Sequence, residues 1–238
     1  LAGSISGTRK TIIKDCVISN QSKSSMGVLV EGNSTTEATI NAGGFVGGAS
    51  SGSIQIDASK QIIQSKENVT FKVEFVEQNV VGKPIYNVNL GMITGSASSM
   101  NFAITDAGMT VYGLLKMSDG AHIQNLNVGG LVGQTFSGRI TNSYSKANVI
   151  AQNADYVGGL FGGIGDFDKL RKSKLGYNYF NELYTFGDIS SRDVDASSKN
   201  IGATTNVRGG VAGGIAGFCE FAEKTTLTDG EELVDIVF

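Results

Sequence analysis

Gly129-Gly130-Leu131-Val132-Gly133 is one copy of a five-residue phrase, two glycines, two apolar residues and a glycine, whose recurrence decides the class of fold. The other close copies are Gly43-Gly44-Phe45-Val46-Gly47, Gly158-Gly159-Leu160-Phe161-Gly162 and the doubled run Gly209-Gly210-Val211-Ala212-Gly213-Gly214-Ile215-Ala216-Gly217. Weaker copies start at Gly27, Gly91 and Gly113. With lead glycines at 27, 44, 91, 113, 130, 159 and 210, successive copies lie 17 to 51 residues apart. Such a return predicts a stack of similar units, none of which buries its apolar face alone.

Working outward from Gly129, the clearest unit runs from Tyr112 to Val149. Each of its two arms has a short apolar run, then a turn (Ser118-Asp119-Gly120, Ser137-Gly138), then a segment of period-2 alternation (Ile123 to Val128, Ile140 to Tyr144). These are strand and turn signals, and no window sustains a helical period; the nearest helical stretch, Asp166 to Leu175, is short and charged. Short strands joined by glycine turns suit a coil of parallel strands stacked about 4.8 Å apart. The corners of such a coil need positive φ or a close backbone approach, and glycine supplies both. The expectation is therefore an all-β, right-handed parallel β-solenoid of about eight to ten turns, with handedness taken from the general rule for parallel crossovers. Residues 1–238 read as one repeat fragment of a longer chain, with lateral insertions near 57–90 and 165–206. Within the first insertion, Val69 to Val81 alternates as an amphipathic strand that pairs or packs beside the coil.

Composition agrees with this class. Glycine supplies 33 of 238 residues, far above the usual 7 per cent or so, yet there is one proline and no triplet period, so neither collagen nor a proline-rich linker fits. A net charge of −3 gives no basic footprint for nucleic acid. The one dense basic run, Lys169 to Lys174, follows Asp166 and Asp168 and reads as a solvated loop. No apolar stretch is long enough to span a bilayer, so no direct membrane insertion is expected of this sequence. Leu1-Ala2-Gly3 looks like the tail of another glycine phrase and Leu233 to Phe238 alternates to the last residue, so any signal or anchor is expected outside the sequence. Cys16 and Cys219 sit near opposite ends, too far apart in a linear stack for a disulfide, and read as small buried hydrophobes.

Chemistry-bearing constellations are sparse. With one histidine, His122 in a turn, and no clustered Cys/His ligands, most nucleophilic and zinc mechanisms are excluded, and the glycine clusters do not open helices that could cradle phosphate. No catalytic residue and no cofactor is expected. Coil-shaped folds also carry carbohydrate cleavage by paired carboxylates. The acidic residues open to that use are Asp155, Asp166, Asp168, Asp188, Asp193 and Asp195, of which Asp166/Asp168 and Asp193/Asp195 have the i, i+2 spacing of one strand face. Gly162 to Asp168 is close to the calcium-binding Gly-Gly-x-Gly-x-Asp phrase, but Phe167 interrupts the ligand pattern; a lone Ca2+ at Asp166 and Asp168 stays open as a weak metal site. In the expanded interval Gly165 to Asn206, Tyr177, Tyr179 and Tyr184 are candidates for a binding surface that stacks on sugars or a partner protein, while Phe180 and Tyr184 equally suit the core. Asn125, Asn127, Asn142 and Asn148 recur in the alternating segments, where they either hydrogen-bond as a ladder along the coil or present an amide row to sugar hydroxyls.

Gly-Gly-Leu-Val-Gly (129 to 133), then Ser137-Gly138, then Ile-Thr-Asn-Ser-Tyr-Ser-Lys-Ala-Asn-Val (140 to 149) resembles the GLUG repeat of bacterial surface proteins. Echoes recur at Tyr184 to Ile189 and at Ile13 to Ile18, and the resemblance covers residues 1 to 56 and 110 to 217, while 57 to 90 and 163 to 180 depart from the pattern. It implies an extracellular, cell-surface protein whose repeat acts as a stalk or adhesive region. Such repeats also occur in large surface peptidases as accessory segments, but the His-Glu-x-x-His zinc helix of those enzymes has no counterpart here. The expected partners are neighbouring repeats or subunits end to end, as in a filament, and a host protein or glycan. The rival reading is a polysaccharide-degrading coil.

Overall fold

The computed structural model describes residues 2–6, 10–14, 16, 18–20, 26–32, 38–49, 53–57, 61–65, 71–77, 86–97, 101–105, 108–109, 113–117, 123–136, 138–152, 154–165, 178–185, 188–192 and 211–219. These residues form strands and no helix, and every strand pairing among them is parallel. The strands fall into four open sheets.

The first sheet holds Ala2–Ile5, Val46–Ala49, Thr94–Ala97, Val132–Thr135, Phe161–Ile164 and Ala216–Cys219, in that order. The fourth holds Ala38–Gly43, Tyr86–Gly91, Ile123–Gly129, Tyr156–Gly158 and Val211–Gly213. The third runs Met26–Gly32, Phe71–Glu77, Gly113–Met117, Asn148–Gln152 and Ile189–Arg192. In the second sheet, Lys10–Lys14, Ser53–Asp57 and Asn101–Thr105 form one half, and Ile18–Asn20, Gln61–Ser65 and Gly108–Met109 the other. The long strand Gly138–Ser145 bridges both halves and then pairs with Asn178–Thr185.

The chain visits these sheets in a fixed order, first, second, third, fourth, and then returns to the first. Along the first sheet Ala2, Val46, Thr94, Val132, Phe161 and Ala216 are successive register partners, so one pass takes 29 residues at its shortest and 55 at its longest. The described strands amount to five passes and the start of a sixth, fewer than the about eight to ten expected from glycine spacing. The excess arises because Gly27 and Gly113 are not corner glycines: they lie in strands of the third sheet, while the phrases at 43, 91, 129, 158 and 213 join the fourth sheet to the first. Of the doubled run only the second half is in this register; Gly209 and Gly210 lie outside the described residues. Of the stretch Val69 to Val81, expected to pair or pack beside the coil, Phe71–Glu77 pairs as a full member of the third sheet, and Asn178–Thr185 and Ile189–Arg192 are likewise strands within the sheets.

Alternation sends one side of each strand into a common core. Ile56, Ile104 and Ile140 stack in the second sheet, Val88 and Leu126 with Leu90 and Val128 in the fourth, and Val46, Val132 and Phe161 in the first, all buried. Each such side chain contributes about 1.5–3 kcal/mol through burial. Phe180 joins this core from the last pass, its ring 4.8 Å from that of Phe161. Ile13, Val28 and Ile40 in the first pass, and Phe180, Leu183 and Ile189 late in the chain, are only partly buried against it. The two cysteines are free and half-buried beside the same core.

Candidate functional site

The Gly-Gly-apolar-apolar-Gly phrase forms a tight corner that stacks on itself. Leu131 N–H donates to Leu160 O and Ile93 N–H to Leu131 O, each at 2.9 Å, so the ladder continues through the turn as well as through the strands. Phe45, Ile93, Leu131 and Leu160 at the tip are fully buried, which means that the corner points into the protein. It reaches the far wall: Ser145, at the end of the second-sheet strand, donates from Oγ to Gly130 O at 3.3 Å.

Close approach, not left-handed backbone, explains the corner glycines. Among the described residues positive φ occurs at Asn142 (47°) and Gly165 (112°), away from these corners. A Cβ on Gly133 would stand 2.6 Å from Leu90 N, and one on Gly162 would stand 2.5 Å from Val128 N, in each case backbone of the facing fourth-sheet strand. The same column holds Gly47, Gly95 and Gly217. Asn142 marks a different bend, the point at which Gly138–Ser145 turns between the two halves of the second sheet, and Asn is among the residues that tolerate this conformation.

Because the corner points inward, the outer faces of the first and fourth sheets lie against each other along a furrow. On the fourth sheet its wall is the register row Asn41, Asn89, Asn127, Tyr156, and on the first sheet the row Gly48, Ser96, Gln134, Gly163, Phe218. The rows touch at one end, where a Cβ on Gly48 would lie 3.3 Å from Asn41 Nδ2, and at the other, where the Tyr156 and Phe218 rings are 4.9 Å apart. Asn89 Nδ2 donates to Asn41 Oδ1 and Asn127 Nδ2 to Asn89 Oδ1, both at 2.8 Å. Two residues farther from the corner, Asn125 Nδ2 donates to Asn87 Oδ1 at 2.7 Å. Exposure rises away from the floor: Asn127 is 1 % exposed, Asn87 and Asn125 are half-buried and Thr39 is exposed. Asn127 Oδ1, turned from Asn89 toward the Tyr156 level, is buried without a hydrogen-bond partner.

The expected amide ladder thus forms at Asn125 and Asn127, with Asn41, Asn87 and Asn89 as members that spacing alone did not single out. Asn142 and Asn148 are not in it: Asn142 is the bend residue, and Asn148 Oδ1 accepts from Asp188 N–H at 3.0 Å. Of the acidic candidates, Asp155 is buried and its Oδ2 accepts from Leu126 N–H at 2.8 Å, standing in for the strand carbonyl missing where Tyr156–Gly158 starts short. Asp188 is exposed on the link between the second and third sheets, and its carbonyl accepts from Val149 N–H. Asp166, Asp168, Asp193, Asp195, His122, Lys169 to Lys174 and Tyr177 lie outside the described residues. Tyr179 occupies the register position opposite Arg139, and Tyr184, 53 % exposed, that opposite half-buried Tyr144 on the outer face of the second sheet. Among the described residues no three His, Cys, Asp or Glu side chains gather into a metal-holding group, and no helix is long and apolar enough to cross a membrane.

Residues 124–150 match the family described as the GLUG motif. No curated protein and no solved structure matches the chain. The matched segment starts in the fourth-sheet strand Ile123–Gly129, turns the inward corner, and passes through Val132–Thr135 and Gly138–Ser145 into the third-sheet strand Asn148–Gln152. The chain therefore carries a GLUG motif, and that motif is one pass through all four sheets, including both ends of the Ser145 to Gly130 hydrogen bond.

Proposed function

We propose that the four sheets are the faces of a right-handed parallel β-solenoid, and that this solenoid is a non-catalytic, extracellular scaffold of a cell-surface protein, acting as stalk or adhesive surface. The observation that carries the reading is the coincidence of the GLUG match with one pass: the unit that repeats in sequence is the unit that stacks in space. Right-handedness follows the strong bias of parallel crossovers. A repeat of this kind grows by adding passes and presents long side faces, which suits spacing and adhesion. The non-catalytic reading draws support from Asp155 and Asp188, whose observed roles are backbone bonding in a buried corner and an exposed link, on separate parts of the repeat. Assembly end to end is part of the proposal, since each sheet begins with its earliest strand at one edge and parallel pairing continues in one direction.

Electron microscopy of the full-length native protein, on cells and after shearing from them, tests this reading. Rods or fibres at the cell surface are expected. Compact particles released into solution would contradict it and would turn attention to polysaccharide cleavage by the acidic pairs.

A further inference from the structure

We propose that the furrow between the outer faces of the first and fourth sheets is a binding site for a neutral glycan chain. The proposal rests on the scaffold reading only for where such a chain is met; the site itself follows from side chains. The chemistry available in the furrow is that of amides followed by aromatic rings. Asn125 Nδ2 spends one hydrogen on Asn87 Oδ1, which leaves Asn125 Oδ1, the other Asn125 amide hydrogen and both Asn87 amide hydrogens for a ligand. On the first-sheet wall, Gln134 stands in register with Ser96, its Nε2 donating to Gly165 O at 3.2 Å. One pass farther along, the Tyr156 ring lies 4.9 Å from that of Phe218, the register partner of side-chain-free Gly163, and both residues are half-buried.

A second observation points to the same place. Asn127 Oδ1 ends its ladder unpaired and 1 % exposed on the furrow floor, between the amides and the rings. A buried carbonyl oxygen is rarely left without a donor; at 1 % exposure it is closed to solvent, so a hydroxyl or a water supplies the donor only when an occupant displaces the side chains over the floor. The occupant is uncharged because the wall side chains Thr39, Asn87, Asn125, Asn127, Ser96 and Gln134 are all neutral, which leaves an anionic or cationic polymer without a counter-charge there. Hydroxyl groups match amides that donate and accept at once, and the apolar face of a sugar ring matches Tyr156 and Phe218.

The test uses the whole chain, isotopically labelled for NMR, titrated with cellohexaose, maltohexaose and mannohexaose, and with hexagalacturonate and a heparin hexasaccharide as anionic counterparts. The expected result is saturable binding of at least one neutral hexasaccharide, insensitive to salt, that shifts the side-chain amide signals of Asn87 and Asn125 and leaves the surroundings of Tyr184 unmoved. Tyr156→Ala and Asn125→Ala, checked for unchanged thermal melting, weaken that binding by about tenfold or more, while Tyr184→Ala leaves it within about twofold. Absence of binding by every neutral sugar at millimolar concentration, preference for the anionic ones, or shifts confined to other faces would each overturn the site. Rods in the microscope with no neutral sugar bound would remove this site and leave the scaffold; sugar bound in the furrow of a compact particle would do the reverse.

Discussion

Ser145 Oγ donates to the carbonyl of Gly130 at 3.3 Å and accepts from Ala147 N–H at 3.1 Å, so one buried hydroxyl ties the inward corner to the opposite wall. Both partners belong to a single GLUG motif and lie 15 residues apart in sequence. The motif's glycine end and its Ser-Tyr-Ser end are two sides of one contact.

Replacing Ser145 by alanine leaves the buried Ala147 N–H without its acceptor. A loss of about 1–3 kcal/mol is expected, read as a lower denaturation midpoint with an unchanged m-value. Ser145→Thr, which keeps the hydroxyl, is expected to recover part of it.

Gly130→Ala tests the same contact from the other side. Its Cβ would meet the Gly159 carbonyl and stand 2.9 Å from Ser145 Oγ, a clash expected to cost about 1–3 kcal/mol. The equivalent residue one pass earlier is Met92, fully buried, so Met92→Gly should destabilise as well, by about 2–5 kcal/mol through the cavity it leaves. Opposite requirements at one register position, measured by thermal unfolding of the two variants, would show that each pass shapes its own corner.

The Asn41–Asn89–Asn127 ladder makes a ranked prediction. Asn89→Ala removes both bonds and leaves the buried Asn127 amide with no ladder partner, whereas Asn127→Ala removes one bond together with the unpaired Oδ1. Each buried group left unbonded costs about 1–3 kcal/mol, so Asn89→Ala is expected to be the more destabilising of the two in urea. Equal losses would mean that the ladder does not hold the passes in register.

Burial pushes the Cys219 thiol above its ordinary pKa. A folded pKa higher than the unfolded one adds stability that is complete below the ordinary thiol range, about pH 8.5, and fades as pH rises through the folded value. Cys219→Ser should flatten the alkaline end of the stability profile. Alkylation of Cys219 should keep accelerating with pH beyond the point at which an unhindered thiol levels off.

Much of this was legible in the sequence for a physical reason: strand alternation and glycine turns are local signals, and both are strong between Ile123 and Val149. Pass length was not legible, because Gly27 and Gly113 look like corner glycines in sequence, and only pairing assigns them to the third sheet. The inward direction of the corner was hidden too. Nothing local to Gly130 announces that its neighbour across the core is Ser145, or that Asn89 will face Asn41 across 48 residues. For the furrow, the readable signal was the amide at every second residue in Asn87-Val88-Asn89 and Asn125-Leu126-Asn127. Tyr156 and Phe218 carried no such signal, since their meeting depends on Gly163 lying between them in register.

Distances that grow with the number of passes are the most direct test of stacking. In a Cys16→Ser, Cys219→Ser background, spin labels at Leu29→Cys and Ile150→Cys span three register steps of the third sheet, and labels at Ser4→Cys and Phe218→Cys span five of the first. At about 4.8 Å per step, backbone separations of about 14 and 24 Å are expected, each as a narrow distribution. Two distances that fail to scale with the step count, or a five-step pair no farther apart than the three-step pair, would contradict the stacked four-sheet repeat.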